Sequence, residues 1–358
     1  MTRARSISKL IPNVTGVNVV DYGALTDASE DSSVAIQEAM NTGLSVFFPT
    51  GEYLAHGLTQ STNYQRILSG GDVRIIKNAN GTLFASTGTG VELQGIKFYG
   101  DAASPVYTGD NATFTGANCS MFMCGSRWAY GRAVKCTGDH FQIVGTNDIY
   151  QTADSTSTGY DIELGVSGTA TLYHEISGIY TSQATGGIKM IDVGGSSIIS
   201  GQFGKLTVAS GTSPAGVNGG MVLGARILGN VVVEIPNAVF SGNQFGAISV
   251  TFASGTSGCS LGTSNIFAVG SSVVNNGNIS NHIERQQGTG STYNVSNIKH
   301  GADSGTGALD FREVYGTGSP ETNVTAGIGS RYYAVGGGAS TTLYVKTSGT
   351  GNTGWTAK

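Results

Sequence analysis

The stretch whose reading decides the fold is Val17-Asn18-Val19-Val20-Asp21-Tyr22-Gly23-Ala24, followed by Asp31-Ser32-Ser33-Val34-Ala35-Ile36-Gln37-Glu38-Ala39-Met40 and then Val46-Phe47-Phe48-Pro49-Thr50-Gly51-Glu52-Tyr53. It reads as a short strand, a short capped helix and a second strand that stops at a turn. Asp31 or a nearby polar residue can accept hydrogen bonds from the open amides at the helix start. Val34, Ile36, Ala39 and Met40 supply most of an apolar stripe. A helix this short does not stand alone in water, so it has to cover something.

Working outward, the chain of 358 residues holds 56 Gly, only 6 Pro and 12% charged residues, where about 25% charge is usual for a globular protein. The charge of helical surfaces is missing. Runs of Ser, Thr, Gly and Asn separate short pieces of strand composition such as Val73-Arg74-Ile75-Ile76, Ile96-Lys97-Phe98-Tyr99, Phe141-Gln142-Ile143-Val144 and Val231-Val232-Val233. No amphipathic helix pattern follows residue 42, which argues against an alternating βαβ sheet.

A repeat selects among all-β folds. Phe203 in Ser200-Gly201-Gln202-Phe203-Gly204 and Phe245 in Asn243-Gln244-Phe245-Gly246 are 42 residues apart, and Phe267 follows by another 22. Ile176-Ser177-Gly178-Ile179-Tyr180 precedes Ile199-Ser200-Gly201-Gln202-Phe203 by 23. A period of this size, once doubled, suits one coil of a solenoid with about three strands per turn. Coils would stack about 4.8 Å apart, so like residues form ladders along the axis.

Over residues 16 to 55 the order of parts resembles the opening module of pectate-lyase-like right-handed parallel β-helices, especially the version in bacteriophage tailspikes and other tail proteins. Thr2 to Leu10 looks like the short leading peptides of phage tail proteins. The segment from Asn323-Val324-Thr325 through Leu343-Tyr344-Val345-Lys346 to Gly354-Trp355-Thr356-Ala357-Lys358 resembles terminal modules of tail fibres and spikes. The resemblance implies an all-β, right-handed parallel β-helix at 61–315. Before it come a virion-attachment peptide at 1–15, joining a phage tail or baseplate, and a capping module at 16–60. A C-terminal β module at 316–358, two or three strands, would cap the helix or assemble a homotrimer. It also implies a bacterial surface polysaccharide, capsule or O-antigen, as ligand, and a place in the virion tail after synthesis in the host cytoplasm. The closely spaced Asp-Asp and Gly-His-Gly pieces of polygalacturonase-like enzymes do not occur, and the Arg and calcium cluster of pectate lyases finds no match. No catalytic residue is therefore carried over from a family.

The formal net charge of -4 gives no electrostatic footprint for nucleic acid or an anionic membrane. No apolar run long enough for membrane insertion appears, and Met1 to Leu10 lacks the apolar centre of a signal peptide. Cys119, Cys124, Cys136 and Cys259 fall in no CxxC pair, so buried thiols acting as small hydrophobes are expected. The five histidines are scattered, and neither a metal set nor a cofactor motif is seen.

Function has to come from a site, since one fold hosts many activities. Asp139, Asp148, Asp154, Asp161, Glu163, Glu175 and Asp192 crowd one window, whereas Val193 to Ile283 holds only Glu234. Asp161 and Glu163, two positions apart on a strand, project from one face and can pair as acid and base or nucleophile. Asp139 lies 22 residues before Asp161, about one coil, and would stack below it, raising one pKa by repulsion. His174 and Glu175 offer a base with an orienting partner. Arg127 and Arg132 suit anionic sugars. Trp128, Tyr160 and Tyr173, with Tyr130, Tyr150 and Tyr180 nearby, supply rings for sugar stacking. Glu234, in Val231-Val232-Val233-Glu234-Ile235, alternates outward and is a further candidate sugar ligand. The other reading of these acids is turn chemistry through Asx-type bonds. The expected activity is glycosidic hydrolysis. A non-catalytic receptor-binding or structural tail protein and a polysaccharide lyase are the alternatives.

Overall fold

A computed structural model describes residues 16–100, 107–145, 149–151, 160–181, 186–209, 219–262, 264–268, 271–276, 281–283, 287–288, 294–295, 298–299, 312–349 and 351–358. The leading peptide 1–15, Asp148 and Asp154 lie outside these residues, as does the side chain of Tyr150.

The chain is a parallel β-helix with three faces, each strand pairing in parallel with strands one coil before and one coil after. On the first face, Ile67, Leu93, Met121, Ile143, Ile176, Ile198, Val222, Phe240 and Leu261 form one continuous row. All nine are buried, because alternation along each strand turns this row into the core. On the third face, Leu58, Phe84, Ala112, Val134, Ile162, Ile188, Leu206, Val231 and Val250 do the same. Coil length varies: the row steps from Val222 to Phe240 in its shortest coil and from Ile143 to Ile176 in its longest.

The doubled period is a real ladder on the second face. Phe203 pairs with Ile227, Ile227 with Phe245 and Phe245 with Phe267, so Ile227 fills the skipped rung. The Phe245 and Phe267 rings stack with centroids 4.4 Å apart and planes 16° apart. The other alignment is corrected by one residue: Ile176 pairs with Ile198 and Tyr180 with Gln202. A one-residue slip exchanges the faces of a strand, and Ile199 is 39% exposed whereas Ile198 is fully buried.

The opening stretch is corrected in detail. The strand ends at Asn18, and Val19–Tyr22 is a 3-10 turn whose Val20 amide donates to the Asn18 carboxamide at 3.0 Å. Asp27–Asp31 forms a strand before the helix Ser33–Asn41. Asp31 Oδ1 accepts from the Ser33 amide at 3.0 Å. Ser33, Ile36, Ala39 and Met40 face inward, and Val34 is 71% exposed, since position 34 is 100° round the helix from position 33. The helix packs on the first coils and covers the open end of the core. Cys119, Cys124, Cys136 and Cys259 are buried thiols, and Cys136 sits in a core row between Phe114 and Leu164.

At the other end, Ile298–Lys299, Arg312–Gly316, Arg331–Ala334, Leu343–Lys346 and Trp355–Ala357 form one small sheet. Its pairings are antiparallel apart from the second with the third strand. The sheet has five strands rather than two or three, and its first strand precedes residue 316. Ala326, Tyr332, Ala334 and Trp355 make a core of its own. Buried Lys346 donates from Nζ to the carbonyls of Gly351 and Thr353.

Candidate functional site

The outer row of the third face runs Thr113, Lys135, Glu163, Lys189, Thr207, Val232, Thr251. Strand pairing thus sets Glu163 between two lysines, in a row otherwise of Thr and Val. Arg132, at the corner before this face, donates from Nη2 to Glu163 Oε2 at 3.1 Å and approaches Asp110 to 3.9 Å. Lys135 Nζ is 3.9 Å from Glu163 Oε1. Glu163 points outward, opposite to the core residues Ile162 and Leu164, yet is only 5% exposed, covered by its cationic neighbours.

Two residues earlier Asp161 is also buried. Its carboxylate occupies the place a side chain would take at Gly186, where a Cβ would lie 2.1 Å from Oδ2. Next to it, Tyr160 donates to or accepts from Thr207 Oγ1 at 2.6 Å. The Lys205 ammonium lies 4.3 Å and that of Lys189 5.9 Å from the Tyr160 ring centroid. Burial pushes the Lys205 ammonium below the ordinary lysine range, and the charge of Asp161 opposes the shift. Four expected residues, Arg132, Tyr160, Asp161 and Glu163, therefore meet in one place. Lys135, Lys189 and Lys205 complete the cluster and are not evident from sequence, because coils of unequal length hide which residues share a row.

Arg127 and Trp128 lie on the second face, in a different setting. Ser126 pairs with Ile149 and Ala129 with Gln151, so the strand Gly125–Ala129 carries one residue too many and bulges. Trp128 takes the left-handed backbone at φ 54°. Gly100 makes this possible, since a Cβ there would lie 1.9 Å from the Trp128 carbonyl oxygen. The Trp128 ring meets Tyr99 edge-on at 5.1 Å, and the Arg127 guanidinium lies 5.6 Å from the Tyr99 centroid.

The remaining candidates separate from both groups. Asp139 does not stack under Asp161. Its carboxylate accepts from the Leu172 amide at 2.9 Å, while Asp161 is bracketed by hydrogen bonds to Val134 and Gly187. The long coil between Ile143 and Ile176 breaks the 22-residue spacing. His174 is corrected to a core residue, 1% exposed. Its Nδ1 accepts from the Phe141 amide at 3.4 Å, so Nε2 carries the proton and donates to Thr171 Oγ1 at 3.0 Å. Burial pushes its pKa down to about 4. Glu175 points the opposite way, accepting from Gln142 Nε2 at 3.4 Å, so the two do not form a base with an orienting partner. Tyr173 is exposed and its ring lies 5.1 Å from that of His140. Glu234 faces outward as alternation requires, with Val231, Val233 and Ile235 buried, far along the axis from the acid cluster. Among the described residues no group of three His, Cys, Asp or Glu side chains is placed to hold a metal, and no helix is long and apolar enough to cross a membrane.

No protein-family profile and no curated protein matches the chain. Among solved structures it is similar to ORF18 of Geobacillus virus E2, with a TM-score of 0.53 and 13% identity over 79% of this chain and 62% of that one. The chain thus spans less than two thirds of that viral protein's length. Weaker likenesses include the A-module of the mannuronan C-5 epimerase AlgE6 of Azotobacter vinelandii, with a TM-score of 0.44 and 14% identity over 77% and 98% of the two chains. Another is the Dettilon tailspike protein, with a TM-score of 0.36 and 12% identity over 72% and 68%. At such identities what is shared is the parallel β-helix.

Proposed function

We propose that this chain is a bacteriophage tail protein that holds a bacterial surface polysaccharide, capsule or O-antigen, against the outside of its β-helix, works as a homotrimer and joins the tail or baseplate through residues 1–15. The fold likeness to a viral protein and the resemblance of the two ends to tail-protein modules support the setting. The observation that carries the binding reading is the cluster of Tyr160, Asp161, Glu163, Arg132, Lys189 and Lys205 on one outer face. Sugars are held by rings that meet their apolar faces and by a few fixed polar groups that take their hydroxyls, and this cluster presents both.

Hydrolysis is the second reading, favoured by one observation: two buried carboxylates, Asp161 and Glu163, on one strand beside that ring. The other acids first considered with them, Asp139 and Glu175, are engaged elsewhere in the coil. The test is reducing-end release and unsaturated-uronate absorbance after incubation with a panel of purified capsules and O-antigens, with binding measured in parallel. Binding with new reducing ends and no absorbance supports hydrolysis, and D161N and E163Q then lower cleavage about 100-fold or more while binding persists. Absorbance together with reducing ends marks a lyase. Binding alone leaves a receptor-binding protein, and no binding across a panel that includes the host's own glycan overturns the proposal.

A further inference from the structure

On the second face, coils stacked around the Arg127–Trp128 bulge enclose a cavity of about 370 Å³ walled by Lys97, Tyr99, Met123, Gly125, Arg127 and Gly145. It does not involve the Asp161 and Glu163 cluster. Its size falls at the low end of small-ligand sites, suited to one or two sugar units rather than to a long unbranched stretch. Its lining holds two cations and no acid, with a ring on one wall and two glycines that leave backbone bare on another.

The placement of these groups is built rather than incidental. Tyr99, 8% exposed, has the Arg74 guanidinium 5.8 Å and the Arg127 guanidinium 5.6 Å from its ring centroid, and the edge-on ring of Trp128 braces it. Lys97 is anchored at 2.7 Å by Asp72, which also takes Arg74 at 2.8 Å. The bulge that aims Arg127 costs a left-handed tryptophan and requires a glycine at position 100. Met123, also left-handed at φ 51° and 72% exposed, stands on the wall. Bulges of this kind re-aim side chains next to binding and catalytic sites, and strained backbone of this kind persists where the surroundings enforce it.

We propose that this cavity is a subsite for one carboxylate-bearing sugar residue, with its carboxylate between Lys97 and Arg127 and its ring against Tyr99. The proposal rests on the glycan-binding reading for the nature of the ligand and is otherwise independent of the acid cluster. Arg binds a carboxylate through paired parallel hydrogen bonds, and a cation beside an aromatic ring favours a ligand with one charged edge and one apolar face.

The test is calorimetric titration with trigalacturonate and with its fully methyl-esterified form, alongside the glycan panel. The acid form is expected to bind at least 10-fold more tightly than the ester, with affinity falling as salt rises. R127Q combined with K97Q abolishes the preference. R66Q, which removes a cation paired to Glu92 outside the cavity, keeps it. Equal binding of acid and ester, a preference that survives R127Q with K97Q, or no binding of the trisaccharide by the intact protein each overturns the subsite. If the panel glycan still binds in those cases, the polysaccharide reading stands without it. If it does not, both fall.

Discussion

A histidine sealed between coils makes the sign of a pH effect calculable. His174 is neutral in the fold, with one ring nitrogen accepting from Phe141 and the other donating to Thr171. The unfolded imidazole takes up its proton near pH 6.5 and the folded one only near 4. The unfolded chain therefore binds more protons in that interval, and stability present above pH 6.5 is lost as the pH falls towards 4. A shift of this size corresponds to roughly 3 kcal/mol. Urea midpoints measured from pH 7.5 down to 4.5 are expected to fall across this interval, and H174Q to flatten the fall. Parallel curves for the two proteins would show that another group dominates. From sequence His174 looks like a ligand because it stands among Tyr and Glu. What seals it is the Phe141 amide from the coil before, a neighbour that only the register reveals. Asp161 and Glu163 are more legible, since alternation along one strand needs no knowledge of other coils.

At the scale of the strand, register decides which residue carries the core. Ile198 and Ile199 are adjacent and chemically alike, yet one is fully buried and the other 39% exposed. I198A is expected to cost about 2–5 kcal/mol, the range for a buried large-to-small change, and I199A under about 1. Chemical denaturation of the two variants checks this. A larger loss for I199A would move the register back to the Ile176 to Ile199 alignment. The Phe203, Phe245 and Phe267 period was legible because those coils carry short connections. The charged row of Lys135, Glu163 and Lys189 was not, because the connecting segments between these strands are longer and unequal. Nor was the bulge at Trp128, which depends on Gly100 from the preceding coil, 28 residues away.

For the whole molecule, the two ends are treated differently. The N-terminal helix covers one end of the core, and the C-terminal sheet has a small core of its own. The long sides are where apolar surface remains. On the outside of the first face, Phe122, Val144, Ser177, Ile199, Leu223 and Ser241 form one row, and Met221 on the neighbouring row is 47% exposed. Scattered exposed apolar side chains need no explanation, but a contiguous uncharged row does. In the proposed homotrimer these rows would turn towards sister chains and leave the charged second and third faces to the polysaccharide. Sedimentation equilibrium should then give three times the 36.6 kDa chain mass. I199E with M221E should shift it to the single-chain mass while circular dichroism keeps its β signature, because neither side chain belongs to the core. A wild-type chain that sediments as a monomer would leave this row without a partner of its own kind and would remove the trimer from the proposed function. It would leave the cluster at Glu163 and the cavity at Arg127 intact, since every residue named in either comes from one chain.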